Sequence, residues 1–214
     1  MTRFVTIVGN GESRRGFDLI PVKQFSTVIG CNAQFRDYVF DYFVCCDKHM
    51  CQEAANSVGK NTTIYTRSNW VSQFAMWPNV KTLPALPYEG EERPDDPWHW
   101  GTGPHAGNVA LSFKPKAVFM IGFDLYSVDG KNVNNIYKDT IGYTYIKRPV
   151  DPRYWIYQFA KLFEYSKCRW IIVNHEGWKM PDEWKKYNNV FAETYEGMAS
   201  YINKQLDQQK SSTK

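Results

Sequence analysis

No apolar run in this sequence is long enough to span a bilayer, and residues 1–9 lead straight into a strand instead of a secretory leader. A cytoplasmic protein is therefore expected. No Gly/Ser-rich or Pro-rich linker divides the chain, so residues 1–203 are read as one α/β domain and residues 204–214 as a flexible tail. A basic stripe is also missing. The formal charge of +4 is mild, and Lys204, Lys210 and Lys214 of the tail supply much of it. Such a surface neither requires nor excludes nucleic acid, and it suits a small anionic ligand. The five cysteines are odd in number and lie mostly in or beside apolar segments, as reduced buried thiols do. Cys46, His49 and Cys51 are close in sequence, but no second pair at zinc spacing follows them, and no metal site is assigned. The acids Asp95-Asp96 lie between prolines with no strand before them and are read as a solvated loop.

What the chain has is aromatic and apolar mass: fourteen tyrosines, thirteen phenylalanines and eight tryptophans, enough for a packed core. Phe4-Val5-Thr6-Ile7-Val8 is a continuous apolar run that stops at Gly9-Asn10-Gly11. Thr27-Val28-Ile29-Gly30-Cys31 stops at Asn32, and Tyr42-Phe43-Val44-Cys45-Cys46 at Asp47. Thr63-Ile64-Tyr65 is shorter. Ala117-Val118-Phe119-Met120-Ile121 stops at Gly122, and Trp170-Ile171-Ile172-Val173 at Asn174. Runs without alternation are what strands buried on both faces need. Helical stretches fall between them, at about 48–57, 69–77, 103–113, 151–165 and 192–208, with Asp151-Pro152 as a cap-and-proline start. This alternation predicts an α/β fold with a mostly parallel sheet and helices on both faces. Two segments, 84–100 and 129–150, resist it and are read as functional walls or lids.

In an open parallel sheet, ligands lie beyond the carboxyl ends of the strands. The polar residues there are Gly9, Asn10, Gly11 and Ser13 after the first strand, then Asn32, Asp47, Gly122 with Asp124, and Asn174-His175-Glu176. The first segment is no Walker loop, since no Gly-Lys-Ser/Thr follows, and its third glycine, Gly16, comes too late for the dinucleotide fingerprint. Its glycines allow close backbone approach to a phosphate or ribose; a tight turn without ligand uses the same residues. Gly101-Thr102-Gly103-Pro104 opens a helix and leaves free N–H groups at its start, an anion site or an ordinary capped helix.

Taken in order, Gly9-Asn10-Gly11-Glu12-Ser13, Ile29-Gly30-Cys31-Asn32, Gly101-Thr102-Gly103 and Ile121-Gly122-Phe123-Asp124-Leu125-Tyr126 resemble the small bacterial sialyltransferases. They are also similar to the related domain of flagellin-glycosylating motility accessory factors. The resemblance covers residues 3–175 in motif order, and the short chain looks like a viral (phage) or accessory member. It implies a Rossmann-like domain that holds a CMP-sugar and transfers the sugar without metal or other cofactor, to a glycan or to modified DNA. Carried onto this sequence, Asn10 and Ser13 belong to the phosphate and sugar, Asn32 to the nucleotide, and Thr102 and Gly103 to the donor pocket; Asp47 joins the ligand-binding candidates from its place after a strand alone. Gly122 and Asp124 belong to ribose or base. Tyr126 and Tyr137 match phenols that steady the departing phosphate.

One element of that pattern is absent. The family's general base is a histidine after the second tyrosine, and residues 139–167 contain none. His175, at a strand end with Glu176 beside it, is the expected substitute. Trp98, Trp100 and Trp178 are candidates to stack on an acceptor. Two other readings stand beside transfer: a nucleotide-binding or phosphotransfer module, with Asp47 and Asp124 converging on magnesium as in the archaeal pterin pyrophosphokinases that the motility-factor domain also resembles, and a dead site.

Overall fold

The structure, a computed structural model, describes residues 4–87, 100–127, 131–144 and 148–211. Asp95, Asp96, Trp98 and His99 lie outside them. The expected apolar runs form strands β1 (Phe4–Val8), β2 (Thr27–Cys31), β3 (Tyr42–Val44), β4 (Thr63–Thr66), β6 (Ala117–Ile121) and β7 (Arg169–Asn174). Two more strands, β5 (Val80–Thr82) and β8 (Val190–Thr194), close the edges of one eight-stranded sheet ordered β5-β4-β3-β2-β1-β6-β7-β8. Every neighbouring pair is parallel. This is an α/β, Rossmann-like fold. From β1 the chain steps outward to β5 on one side, then crosses back to build β6, β7 and β8 on the other. The order therefore reverses beside β1, where open α/β sheets form their ligand crevice.

Alternate residues of each central strand enter different layers of core. Val5, Ile7, Val118 and Met120 pack with Val109 and Ala110 of α4 (Thr102–Ser112) and with Ile156, Phe159 and Leu162 of α5 (Arg153–Tyr165). Val8, Val28, Phe119 and Ile121 face α1 (Ile20–Phe25), α2 (Lys48–Ser57) and α7 (Tyr195–Ser211) on the other side. Helix α5 follows from its pattern: Ile156, Phe159, Leu162 and Phe163 recur at helical spacing and are all buried. Its start is one residue later than expected, with the Asp151 carboxylate accepting from the Arg153 N–H at 3.0 Å.

Short α6 (Asp182–Lys185) locks the end of this layer. Trp184 is fully buried among Phe159, Phe163 and Trp178, and its indole N–H donates to the Ile156 carbonyl at 2.8 Å. Trp184→Ala is expected to cost about 3–5 kcal/mol, because it opens an indole-sized cavity. Urea unfolding checks this; a loss under about 1 kcal/mol would mean that the site refills.

Three expectations are corrected. Residues 69–77 do not form one helix: α3 (Ser68–Val71) gives way to a 3-10 turn at Ser72–Phe74. Residues 192–194, expected to be helical, belong to β8, and α7 begins at Tyr195. It then runs through 204–211, which had been assigned to the tail. Both missed strands lie at sheet edges and bury one residue each, Val80 and Val190, so neither carries an apolar run. No helix among the described residues is long and apolar enough to cross a membrane.

Candidate functional site

The ends of β1 and β6 are joined beyond the strands themselves. The N–H of Gly9 donates to Ile121 O at 2.8 Å, and that of Gly11 to Gly122 O at 2.9 Å. A Cβ on Gly9 would stand 2.5 Å from the Gly122 carbonyl oxygen, and one on Gly11 would stand 2.5 Å from the Asp124 carboxyl. These glycines are thus demanded by two loops that touch, before any ligand is considered. Beneath them the buried Arg14 guanidinium donates to the Gly9 carbonyl at 2.7 Å.

These joined loops form the floor of a cavity of about 360 Å³ at the carboxyl ends of the strands. That is the small end of the usual range for small-molecule sites, roughly 300–1,000 Å³. Gly9, Asn10, Gly11, Asn32, Asp47, Thr102, Gly103 and Gly122, all expected at the site, line it. One end is polar. Asn32 turns the chain at the end of β2 with a left-handed φ of 47°, a conformation asparagine tolerates better than most residues. Its amide N–H donates to Asp47 at 3.1 Å, and its carbonyl accepts from the Thr102 hydroxyl at 3.1 Å. Three strand-end or helix-start residues are thereby held in one chain. Asn10 bonds the Tyr143 hydroxyl at 3.2 Å through one end of its amide, while the other end is buried without a partner.

Arg67 is the cation of this end. It follows β4, lies with its guanidinium 5.3 Å from the Trp70 ring centroid, and donates to Trp100 O at 3.0 Å. Its Nε is buried and unpartnered. The start of α4 opens onto the same cavity, with Gly101, Thr102 and Gly103 in the wall and no side chain capping the helix. Free N–H groups and a positive helix end therefore share the cavity with a guanidinium, a setting for an anion. The wall also carries apolar side chains, Leu125, Val133, Pro149, Val150 and Trp155, together with the polar Ser127, Asn134 and Asn135, and the Trp155 indole lies against Gly101 at the start of α4.

Five expected residues lie elsewhere. Ser13 and Asp124 satisfy each other: the Ser13 N–H donates to the carboxylate at 2.9 Å, and its hydroxyl bonds the same carboxylate and, at 2.8 Å, the Tyr195 hydroxyl. Asp124 is 6% exposed and also takes the Asn174 amide. The pair supports the floor. Asp124 therefore does not converge with Asp47 at the cavity. Tyr126 is turned away by the backbone. Its N–H donates to Asp124 O across Leu125, whose φ is 66°, so Leu125 lines the cavity and Tyr126 is displaced from it. Burial and the nearby acids Glu183 and Asp182 raise the Tyr126 phenol, the opposite of what an anion-stabilising hydroxyl needs.

Tyr137 is buried behind Tyr143, ring centroids 6.2 Å apart, with its hydroxyl donating to Asp37 at 2.5 Å and accepting from Arg14 at 3.0 Å. His175 is exposed, its ring against the Glu176 carbonyl at 3.1 Å. It is Asn174 that turns inward there. Of the acceptor tryptophans, Trp100 is fully buried, and Trp178 bonds the Asp124 carbonyl at 2.9 Å.

Sequence reasoning missed Arg67, Tyr143, Trp155 and Cys46. Arg67 and Cys46 are strand-end residues, hidden because β4 had been ended at Tyr65 and β3 extended through Cys46 itself. Cys46 is 2% exposed, and burial pushes its thiol up to about 11 against the pull of Arg67. Cys51 packs in the other core and His49 is exposed, so the three do not form a cluster. Among the described residues no group of three or more metal-ligating side chains occurs.

Comparison with family models, curated proteins and solved structures finds no match to this chain. Its chemistry must be argued from the cavity.

Asn32→Ala is expected to destabilise by about 1–2 kcal/mol through the left-handed backbone alone and to release the Thr102 hydroxyl at the start of α4. Asn32→Gly should recover most of that stability. Urea unfolding of the two variants checks this; an equal loss in both would contradict the strain assigned to the left-handed turn.

Proposed function

We propose that this protein binds a nucleotide-activated sugar in the strand-end cavity, a CMP-sugar in first place, and transfers the sugar from it without a metal. The observation that carries this reading is the pairing of Arg67 with the open start of α4 in a cavity whose wall also carries apolar side chains. A phosphate suits that pair. A flat base or a sugar face suits the apolar wall, where Trp155, beside Gly101, offers an indole. The motif order supports cytidine. Asp47 alone supplies a carboxylate among the described lining residues, a poor set for magnesium, which seeks several oxygens.

A second reading, nucleotide binding without transfer, draws support from a specific placement: Tyr126, Tyr137 and His175 are all missing from the cavity wall.

A thermal-shift screen against CMP, CDP, UDP, GDP, ADP, ATP and sugar-linked forms, with and without magnesium, tests both. A ligand at about a hundred times its dissociation constant adds roughly 2.7 kcal/mol. CMP or a CMP-sugar giving the largest shift without magnesium supports the proposal. A magnesium-dependent triphosphate in that place would favour phosphotransfer, and no shift at all would remove the site.

A further inference from the structure

The resemblance asks for a histidine base, and no described histidine lines the cavity. His49 and His175 are exposed, and His105 is buried within α4 outside the wall. The titratable side chains that line it among the described residues are Cys31, Cys46, Asp47, Arg67 and Tyr143. Burial raises both thiols and the Tyr143 phenol, so these hold their protons at neutral pH. A guanidinium does not give up its proton in proteins. Asp47 remains.

Its placement matches the task. Asp47 is the residue that opens α2, three residues beyond β3, where Oδ2 takes the Asn32 amide and Asn32 is itself held by Thr102. Oδ1 makes no hydrogen bond among the described residues. The carboxylate is thus oriented through one oxygen and open through the other, the arrangement general bases share.

We propose that Asp47 is the proton acceptor for the attacking hydroxyl. This rests on the nucleotide-sugar reading of the cavity. In the step, the acceptor oxygen bonds to the anomeric carbon as the bond from that carbon to the phosphate oxygen breaks. The bonding pair leaves with the nucleoside monophosphate, and the hydroxyl proton passes to Asp47 Oδ1. With water as acceptor, the products are CMP and the free sugar.

The test is CMP release from CMP-sialic acid in water, above the buffer rate, alongside the thermal shift given by CMP alone. Asp47→Asn keeps an oxygen for the Asn32 amide and removes the base. It should retain the CMP shift and a KM within a few-fold, while kcat falls by about 10²–10⁴. In Asp47→Ala, added formate should restore part of the release.

Wild-type kcat in Asp47→Asn overturns the proposal. So does a raised KM with kcat unchanged, which would assign Asp47 to holding the ribose. A wild type that binds CMP and releases none also overturns it, leaving the binding reading intact. If Asp47→Asn does not fold, absence of formate rescue in a folded Asp47→Ala decides against it. No CMP shift in the wild type removes the underlying reading and the proposal with it.

Discussion

Arg67→Met is expected to lower the affinity for CMP by about 10- to 100-fold, since a hydrogen bond to a charged group is worth roughly 1.5–3 kcal/mol. The methionine keeps an apolar stem against Trp70 and removes the only cation among the described lining residues. The fold loses the bond to the Trp100 carbonyl, the contact with the Cys46 thiol and the cation over Trp70, so a stability cost of about 1–2 kcal/mol accompanies the change. Calorimetric titration and urea unfolding on the same sample separate these effects. Unchanged affinity would exclude Arg67 from the anion subsite and leave only the start of α4. Added salt should weaken the wild type more than the variant, because the charge–charge part of the binding is screened.

Gly9→Ala is expected to cost about 3 kcal/mol and to reduce binding as well, an effect out of proportion to one methyl group. The added carbon would fall 2.5 Å from the Gly122 oxygen and 3.1 Å from its carbonyl carbon. Both are backbone atoms, so relief requires the ends of β1 and β6 to part. That parting would break the bonds from Gly9 to Ile121 and from Gly11 to Gly122, and it would move Asn10 at the cavity floor. Gly59→Ala is the control: nothing lies within 4 Å of its added carbon, and its stability should hold. Equal stability of the two variants in urea would mean that the loop crossing is looser than these contacts require.

The central sheet was legible because β1, β2, β6 and β7 are covered on both faces and are apolar at most of their positions. Edge strands β5 and β8 escaped notice because one buried residue makes no pattern. The rule that ligands meet strand ends brought out Asn10, Asn32 and Asp47, and the glycine-flanked helix start brought out Thr102; the fold does gather all four around one cavity. The same rule placed His175 there wrongly, since it says which residue follows a strand and not which way its side chain turns. At that turn Asn174 points inward and binds both the His175 N–H and Asp124, leaving the imidazole outside.

Tyr126 and Tyr137 came from motif order, which is blind to the reversal at Leu125 and to the Arg14–Asp37 site that holds Tyr137. Tyr143 and Trp155 had no local signal. One is a loop tyrosine among many aromatics, and the other reads as part of the apolar face of α5. Only the folded arrangement brings them to the cavity. Arg67 was within reach of the strand-end rule once β4 is taken to Thr66.

The claim on which the account depends is that the strand-end cavity is a nucleotide site. Calorimetric titration of the wild-type protein with CMP in metal-free buffer tests it most directly, with Arg67→Met titrated beside it. The account predicts saturable binding of one CMP per chain that is weakened at least tenfold in the variant. No saturable binding of CMP, or binding equal in both proteins, would contradict it.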